Sequence, residues 1–100
     1  MRRASRVDAN QAEIVSALRG AGCVVWIIGL PVDLLVGKNG HTVLVELKTA
    51  KGRHTPLQEA FMADWTGGPV ATIRDVAGAL TLAGSLNPKL GVLVDEYGER

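Results

Sequence analysis

Three consecutive segments decide the fold: Val32-Asp33-Leu34-Leu35-Val36, the turn Gly37-Lys38-Asn39-Gly40, and His41-Thr42-Val43-Leu44-Val45-Glu46-Leu47-Lys48. Asn-Gly supplies the positive φ angles that a tight hairpin requires, so the flanking apolar runs read as antiparallel neighbours. The second run alternates, with Val43, Val45 and Leu47 on one face and Leu44, Glu46 and Lys48 on the other. Upstream, Val24-Val25-Trp26-Ile27-Ile28 is uniformly apolar and largely β-branched, the pattern expected of a strand buried on both faces. Gly29-Leu30-Pro31 separates it from the next strand.

Helices flank this unit. Residues 8–18 form the first, with Asp8 or Asn10 as cap, Ile14, Val15 and Leu18 as the apolar stripe, and Gly20 and Gly22 as the stop. Thr55-Pro56-Leu57-Gln58 opens a second helix, with Thr as cap and Pro at the first helical position, that runs to about Trp65. Residues 69–73 make a fourth strand, and Asp75 caps a last helix through about Ala83 whose apolar positions are Val76, Ala79, Leu80 and Leu82. The order is α-β-β-β-α-β-α, an α/β fold with a mixed central sheet flanked by helices. Residues 1–100 read as one domain, with its core in about 8–83 and a C-terminal extension over 84–100. Within that extension residues 90–94 read as an edge strand or a dimer-forming segment, and 96–100 as a loose end.

With 47% apolar residues in 100 positions, the chain can build one core of marginal size, so a partner that covers apolar surface would stabilise it. The net charge of +1 argues against coating nucleic acid by charge alone, although Arg2, Arg3 and Arg6 cluster at the start and Lys51 and Arg53 after the central strand. The single Cys23 excludes an internal disulfide framework and a cysteine-based zinc site, and it reads as a buried thiol. The basic start is followed by polar residues 8–13 where a signal peptide would be apolar. The apolar stretch 23–36 is broken by Pro31 and Asp33 and is too short to span a bilayer. A cytoplasmic protein with no membrane partner is the expectation.

The chemistry sits on the hairpin. Neighbouring strands bring Asp33 and Glu46 within reach of each other, while Glu46 and Lys48 share a face and Leu47 points into the core. Two carboxylates beside a lysine suit a hard cation such as Mg²⁺ or Mn²⁺, with the main-chain carbonyl of Leu47 as a further ligand. Such an ion polarises a phosphate oxygen and acidifies a bound water, and Lys48 positions that water or stabilises the charge developing on the phosphate. The plainer reading is a solvent-facing Glu46–Lys48 salt bridge. Asp33 weighs against it, because an aspartate in an apolar run is costly to bury unless it is paired or bound to a metal. Nothing requires His41 or His54 to be catalytic, and Trp26 and Trp65 read as core residues rather than base-stacking platforms.

Pro31-Val32-Asp33-Leu34-Leu35-Val36-Gly37, then Val45-Glu46-Leu47-Lys48, then Thr55-Pro56-Leu57-Gln58 resemble the VRR-NUC branch of the PD-(D/E)XK nuclease superfamily. Asn10-Gln11-Ala12-Glu13 and Trp65-Thr66-Gly67-Gly68-Pro69-Val70 extend the similarity over most of residues 8–83. The resemblance implies a restriction-endonuclease-like core and a Mg²⁺- or Mn²⁺-dependent DNA endonuclease. It implies that Asp33 and Glu46 are direct metal ligands and that Lys48 is the catalytic lysine. Glu13 would help hold the metal or its waters, and Gln58 would orient Lys48 or the attacked phosphate. Plain readings stand beside these: Glu13 as a solvated first-turn acid, and Gln58 as the capping-box partner of Thr55, a role compatible with the site.

The pattern departs from the family where Val32 intervenes between Pro31 and Asp33 and the glycine-rich loop is shortened to Gly29-Leu30. The basic loop Lys51-Gly52-Arg53-His54 either contacts phosphate or is merely solvated, and its place beside the site favours contact. Arg6, with Arg2 and Arg3, either grips a phosphate backbone or belongs to a disordered start, and the sequence does not choose between the two. Stand-alone members resemble Holliday-junction resolvases that act as symmetric homodimers. The resemblance therefore implies a structure-selective enzyme for branched DNA such as four-way junctions, encoded by a phage or prophage in a bacterial host cell, alone or within a larger phage or repair complex. The alternatives are a nuclease directed at flaps, nicks or mismatches, and a catalytically silent DNA-binding or assembly module.

Overall fold

In a computed structural model that describes residues 9–87, the elements follow the expected order: α1 (Gln11–Gly20), β1 (Val24–Ile27), β2 (Leu34–Lys38), β3 (His41–Leu47), α2 (Pro56–Asp64), β4 (Val70–Ile73) and α3 (Val76–Ser85). The four strands form one mixed sheet in the order β1-β2-β3-β4. The β1–β2 and β2–β3 pairs are antiparallel, and β3–β4 is parallel. The turn between β2 and β3 takes the left-handed backbone that its sequence favours, with φ of 54° at Asn39 and 86° at Gly40.

Strand alternation then sets the layers. Val43, Val45 and Leu47 join Val25, Leu34, Val36 and Ile73 on the inner face, against Ile14, Val15 and Leu18 of α1 and Ala79 and Ala83 of α3. The hairpin also fastens the end of α3, whose last carbonyls have no partner within the helix. Lys38 Nζ donates to the Ala83 carbonyl at 3.2 Å and Asn39 Nδ2 to the Leu86 carbonyl at 2.8 Å. A cation there also opposes the helix dipole. This fastening carries α3 to Ser85 and buries Leu86, slightly beyond the end read near Ala83.

The outer face differs from the sequence reading. In β1 only Val25 is buried, and Trp26 is 68% exposed with Val24 and Ile27 also open. The uniform apolar pattern of β1 arises here from an edge strand whose outer face is uncovered among the described residues, not from burial on both sides. Trp65 is likewise exposed rather than core, stacked on Phe61 with ring centres 5.4 Å apart. Leu80 of α3 faces outward, and α2 contains no buried residue at all. Leu30, Pro31, Leu57, Ala60 and Phe61 line an open apolar cleft of about 790 Å³ beside α2. No helix among the described residues is long and apolar enough to cross a membrane. Asp8 as a cap, Arg2, Arg3 and Arg6, and the segments 90–94 and 96–100 lie outside the described residues.

Burial implies a graded stability map. Leu18 is fully buried and Leu57 is 73% exposed. Leu18→Ala is therefore expected to cost about 2–5 kcal/mol in urea denaturation, and Leu57→Ala less than about 0.5 kcal/mol. Cys23 is buried as expected, and burial pushes its thiol pKa up, outweighing the lowering effect of Lys38. The folded chain thus holds this proton to higher pH than the unfolded chain does. The resulting stability is complete below the ordinary thiol pKa and is lost as pH rises through the raised folded value. Cys23→Ala should flatten the alkaline decline in melting temperature; an unchanged decline would remove Cys23 as its cause.

Candidate active site

Asp33 stands immediately before β2, one position earlier than the strand itself and half-buried. Its N–H donates to the Val45 carbonyl at 3.1 Å, although Val45 is already the partner of Leu34. Two consecutive residues therefore face one, as in a β-bulge, a device that re-aims a side chain at the end of a ladder. The next N–H along that edge of β3, from Leu47, is met by the Asp33 carboxylate: Leu47 N to Asp33 Oδ2 is 2.8 Å. A side-chain acceptor thus replaces the missing backbone acceptor and pins the carboxylate to the C-terminal end of β3. The Leu47 carbonyl leaves the strand on the same edge as its N–H, toward Asp33.

Glu46 projects from the opposite face to Val45 and Leu47, yet its residue exposure is only 1%. Its Oε2 is 3.4 Å from Lys48 Nζ and accepts a hydrogen bond from Gln58 Nε2. The salt bridge considered from sequence exists, but its carboxylate is buried and its lysine only partly exposed, rather than both facing solvent. Gln58 makes the capping box expected of it and in addition reaches Glu46. Thr55 Oγ1 accepts from the Gln58 N–H at 3.2 Å, and Gln58 Oε1 accepts from the Thr55 N–H at 2.9 Å. This capping box fixes the start of α2 and leaves the Gln58 amide nitrogen for Glu46.

The remaining residues lie apart from this cluster or at its margin. Glu13 lies exposed in the first turn of α1, and among the described residues no three His, Cys, Asp or Glu side chains form a cluster able to hold a metal ion. Lys51 and Arg53 are exposed on the loop between β3 and α2, whereas His54 is half-buried with Nε2 3.0 Å from Thr72 Oγ1. Thr72 is the register partner of Glu46 across the parallel pair, so His54 flanks the same face. His41 sits at the far end of β3, 2.9 Å from the Asn87 carbonyl, and takes no part. Arg6 lies outside the described residues.

Two functional supports escaped the sequence reading. Asn10 occupies the N-cap of α1 but makes no side-chain capping bond. Its Nδ2 instead donates to the carbonyls of Lys48 at 3.1 Å and Arg74 at 2.8 Å, tying α1 to the ends of β3 and β4. Arg74 binds the carbonyls of Thr49 and Gly52. Neither role has a local spacing signature, because both partners are main-chain atoms distant in sequence. The site thus gathers at the carboxyl ends of the parallel strands β3 and β4, where open α/β sheets commonly leave a crevice.

Comparison of the chain with protein-family models, with curated proteins and with solved structures finds no match.

A buried ion pair costs most when one member is removed alone. Lys48→Ala should destabilise the fold by about 3–5 kcal/mol, and adding Glu46→Gln in the same chain should recover part of that loss. Additive losses in the denaturation midpoint would show that the pair is not coupled in the folded state.

Proposed function

We propose that the protein is a divalent-metal-dependent deoxyribonuclease whose site is Asp33, Glu46 and Lys48, with Gln58 as a fourth member. The observation that carries this reading is the buried Glu46 carboxylate, touched by Lys48 and Gln58 and placed on the strand whose end is pinned by Asp33. The donor set fits Mg²⁺ or Mn²⁺: two carboxylates and the Leu47 carbonyl are hard oxygen ligands, and the remaining positions suit water. When bound, the ion supplies Lewis-acid activation of a phosphodiester and of a water nucleophile.

The chain's own residues contribute the rest. Lys48 places a positive charge where the phosphate oxygens gain negative charge, and Glu46 holds that ammonium in place. Gln58 fixes one Glu46 oxygen from a helix start that its own capping box makes rigid. Glu13, exposed in the first turn of α1, is assigned to holding the metal or its waters. Lys51, Arg53 and His54, with Arg6 from the N-terminal segment, are assigned to the phosphate backbone.

Branched DNA such as a four-way junction is the proposed substrate, cut by a homodimer of a phage- or prophage-encoded protein in a bacterial cytoplasm. The resemblance to the VRR-NUC family supports this. The exposed apolar residues, Trp26 on β1 and Leu30 and Leu57 beside the α2 cleft, support a protein partner, since open apolar surface on a small domain favours association. The competing reading, a silent assembly module, draws on the occupation of Glu46 Oε2 by Lys48 and Gln58, which also describes a purely structural polar cluster.

Cleavage of a labelled four-way junction decides between them. Wild type with Mg²⁺ should cut the junction in preference to linear duplex, and chelation should abolish cutting. Asp33→Asn keeps an acceptor for the Leu47 N–H while removing the charge, and it should lower kcat by about 100-fold or more with the fold intact. Full activity in Asp33→Asn, or cutting that survives chelation, would refute the assignment.

A further inference from the structure

Lys48 carries the chemistry in the reading above, yet it lies just past the end of β3, where ladder constraints stop. Its main chain is held by two contacts: its N–H donates to the Ile73 carbonyl at 3.1 Å, and its carbonyl accepts from Asn10. Immediately after it, residues 49–52 fold back as a turn closed by the Gly52 N–H on the Thr49 carbonyl at 3.0 Å. Arg74 Nη1 donates to both carbonyls of that turn, Thr49 at 2.7 Å and Gly52 at 2.8 Å. A nitrogen with two N–H groups in a rigid plane suits two acceptors at once, which an exposed lysine does less well. The glycine at position 52 also leaves room for the Lys48 stem. A Cβ added to Gly52 would lie 3.4 Å from Lys48 Cδ and 3.2 Å from Thr49 Oγ1. Arg74 therefore reaches Lys48 through the main chain, by the Thr49 carbonyl next to it and by Asn10, which binds both the Lys48 and the Arg74 carbonyls. The absent Gly52 side chain leaves the room the Lys48 stem occupies on its way to Glu46.

We propose that Arg74 is a positioning residue for Lys48. By clamping the 49–52 turn, it restricts the lysine stem and fixes the ammonium beside Glu46. The basic loop that follows inherits its starting geometry from the same clamp. The structural part stands on the contacts alone, whereas its consequence for turnover rests on the nuclease reading.

The test uses the full chain with Arg74→Ala, Arg74→Lys and Gly52→Ala, read first by NMR without substrate. In wild type the two Lys48 Hε protons should be inequivalent, as for a held side chain. In Arg74→Ala they should collapse toward one averaged signal, and Gly52 amide exchange should accelerate by about tenfold or more, the size expected for losing one hydrogen-bonded restraint. Arg74→Lys should restore these signals in part, and Gly52→Ala should disturb Lys48 while Arg74 remains. Core methyl signals of Ile14 and Val36 serve as the control for intact fold. Unchanged Lys48 and Gly52 signals in Arg74→Ala would overturn the proposal.

In cleavage assays, Arg74→Ala should lower kcat by about tenfold or more with little change in KM, since a small displacement of a catalytic group costs rate rather than binding. A raised KM with unchanged kcat would overturn it in favour of direct DNA contact by Arg74. If wild type does not cut DNA, the nuclease reading falls and the NMR result alone decides the clamp.

Discussion

A carboxylate shut away from water at Glu46 is the constraint around which the rest of this structure is arranged. A buried charge is tolerated only with good partners, and Glu46 obtains them from two directions: Lys48 two residues along its own strand, and Gln58 from the start of α2. The Gln58 contact matters for the architecture, because α2 buries no side chain of its own. The polar cluster thus holds this helix against the outer face of the sheet, where apolar packing does little. Fold and site are coupled at this point, so changes at Glu46 bear on both.

The division of labour between the two faces follows from strand alternation. On the inner face, Val43, Val45 and Leu47 pack on α1 and α3 and make a conventional core. On the outer face, the same strand presents Leu44 and Glu46, and cover is incomplete. Trp26, Leu30 and Leu57 remain exposed. Among the described residues the core is therefore of modest size, in keeping with the marginal core expected from 100 residues.

Much of this was legible in the sequence because it depends on local rules. The Asn39-Gly40 turn, the alternation of β3 and the Thr55–Gln58 capping box each follow from short-range stereochemistry, and the observed α/β order agrees with them. Pairing of Asp33 with the end of β3 was legible in outline, but the bulge that aims it was not, because an Asp33 N–H that meets the residue already paired with Leu34 leaves no mark in residue type. Trp26 was misread because a side chain that is apolar in sequence looks the same whether a second layer covers it or not. Asn10 and Arg74 were missed as braces for a related reason: their partners are carbonyl groups, which every residue possesses.

The central claim is that Asp33 and Glu46 together form a divalent-metal site, and calorimetric titration of the folded protein with Mn²⁺ tests it most directly. The account predicts saturable binding in wild type that disappears in Asp33→Asn while the thermal unfolding transition remains cooperative. Absence of Mn²⁺ binding in wild type, or binding of equal strength in Asp33→Asn, would contradict it.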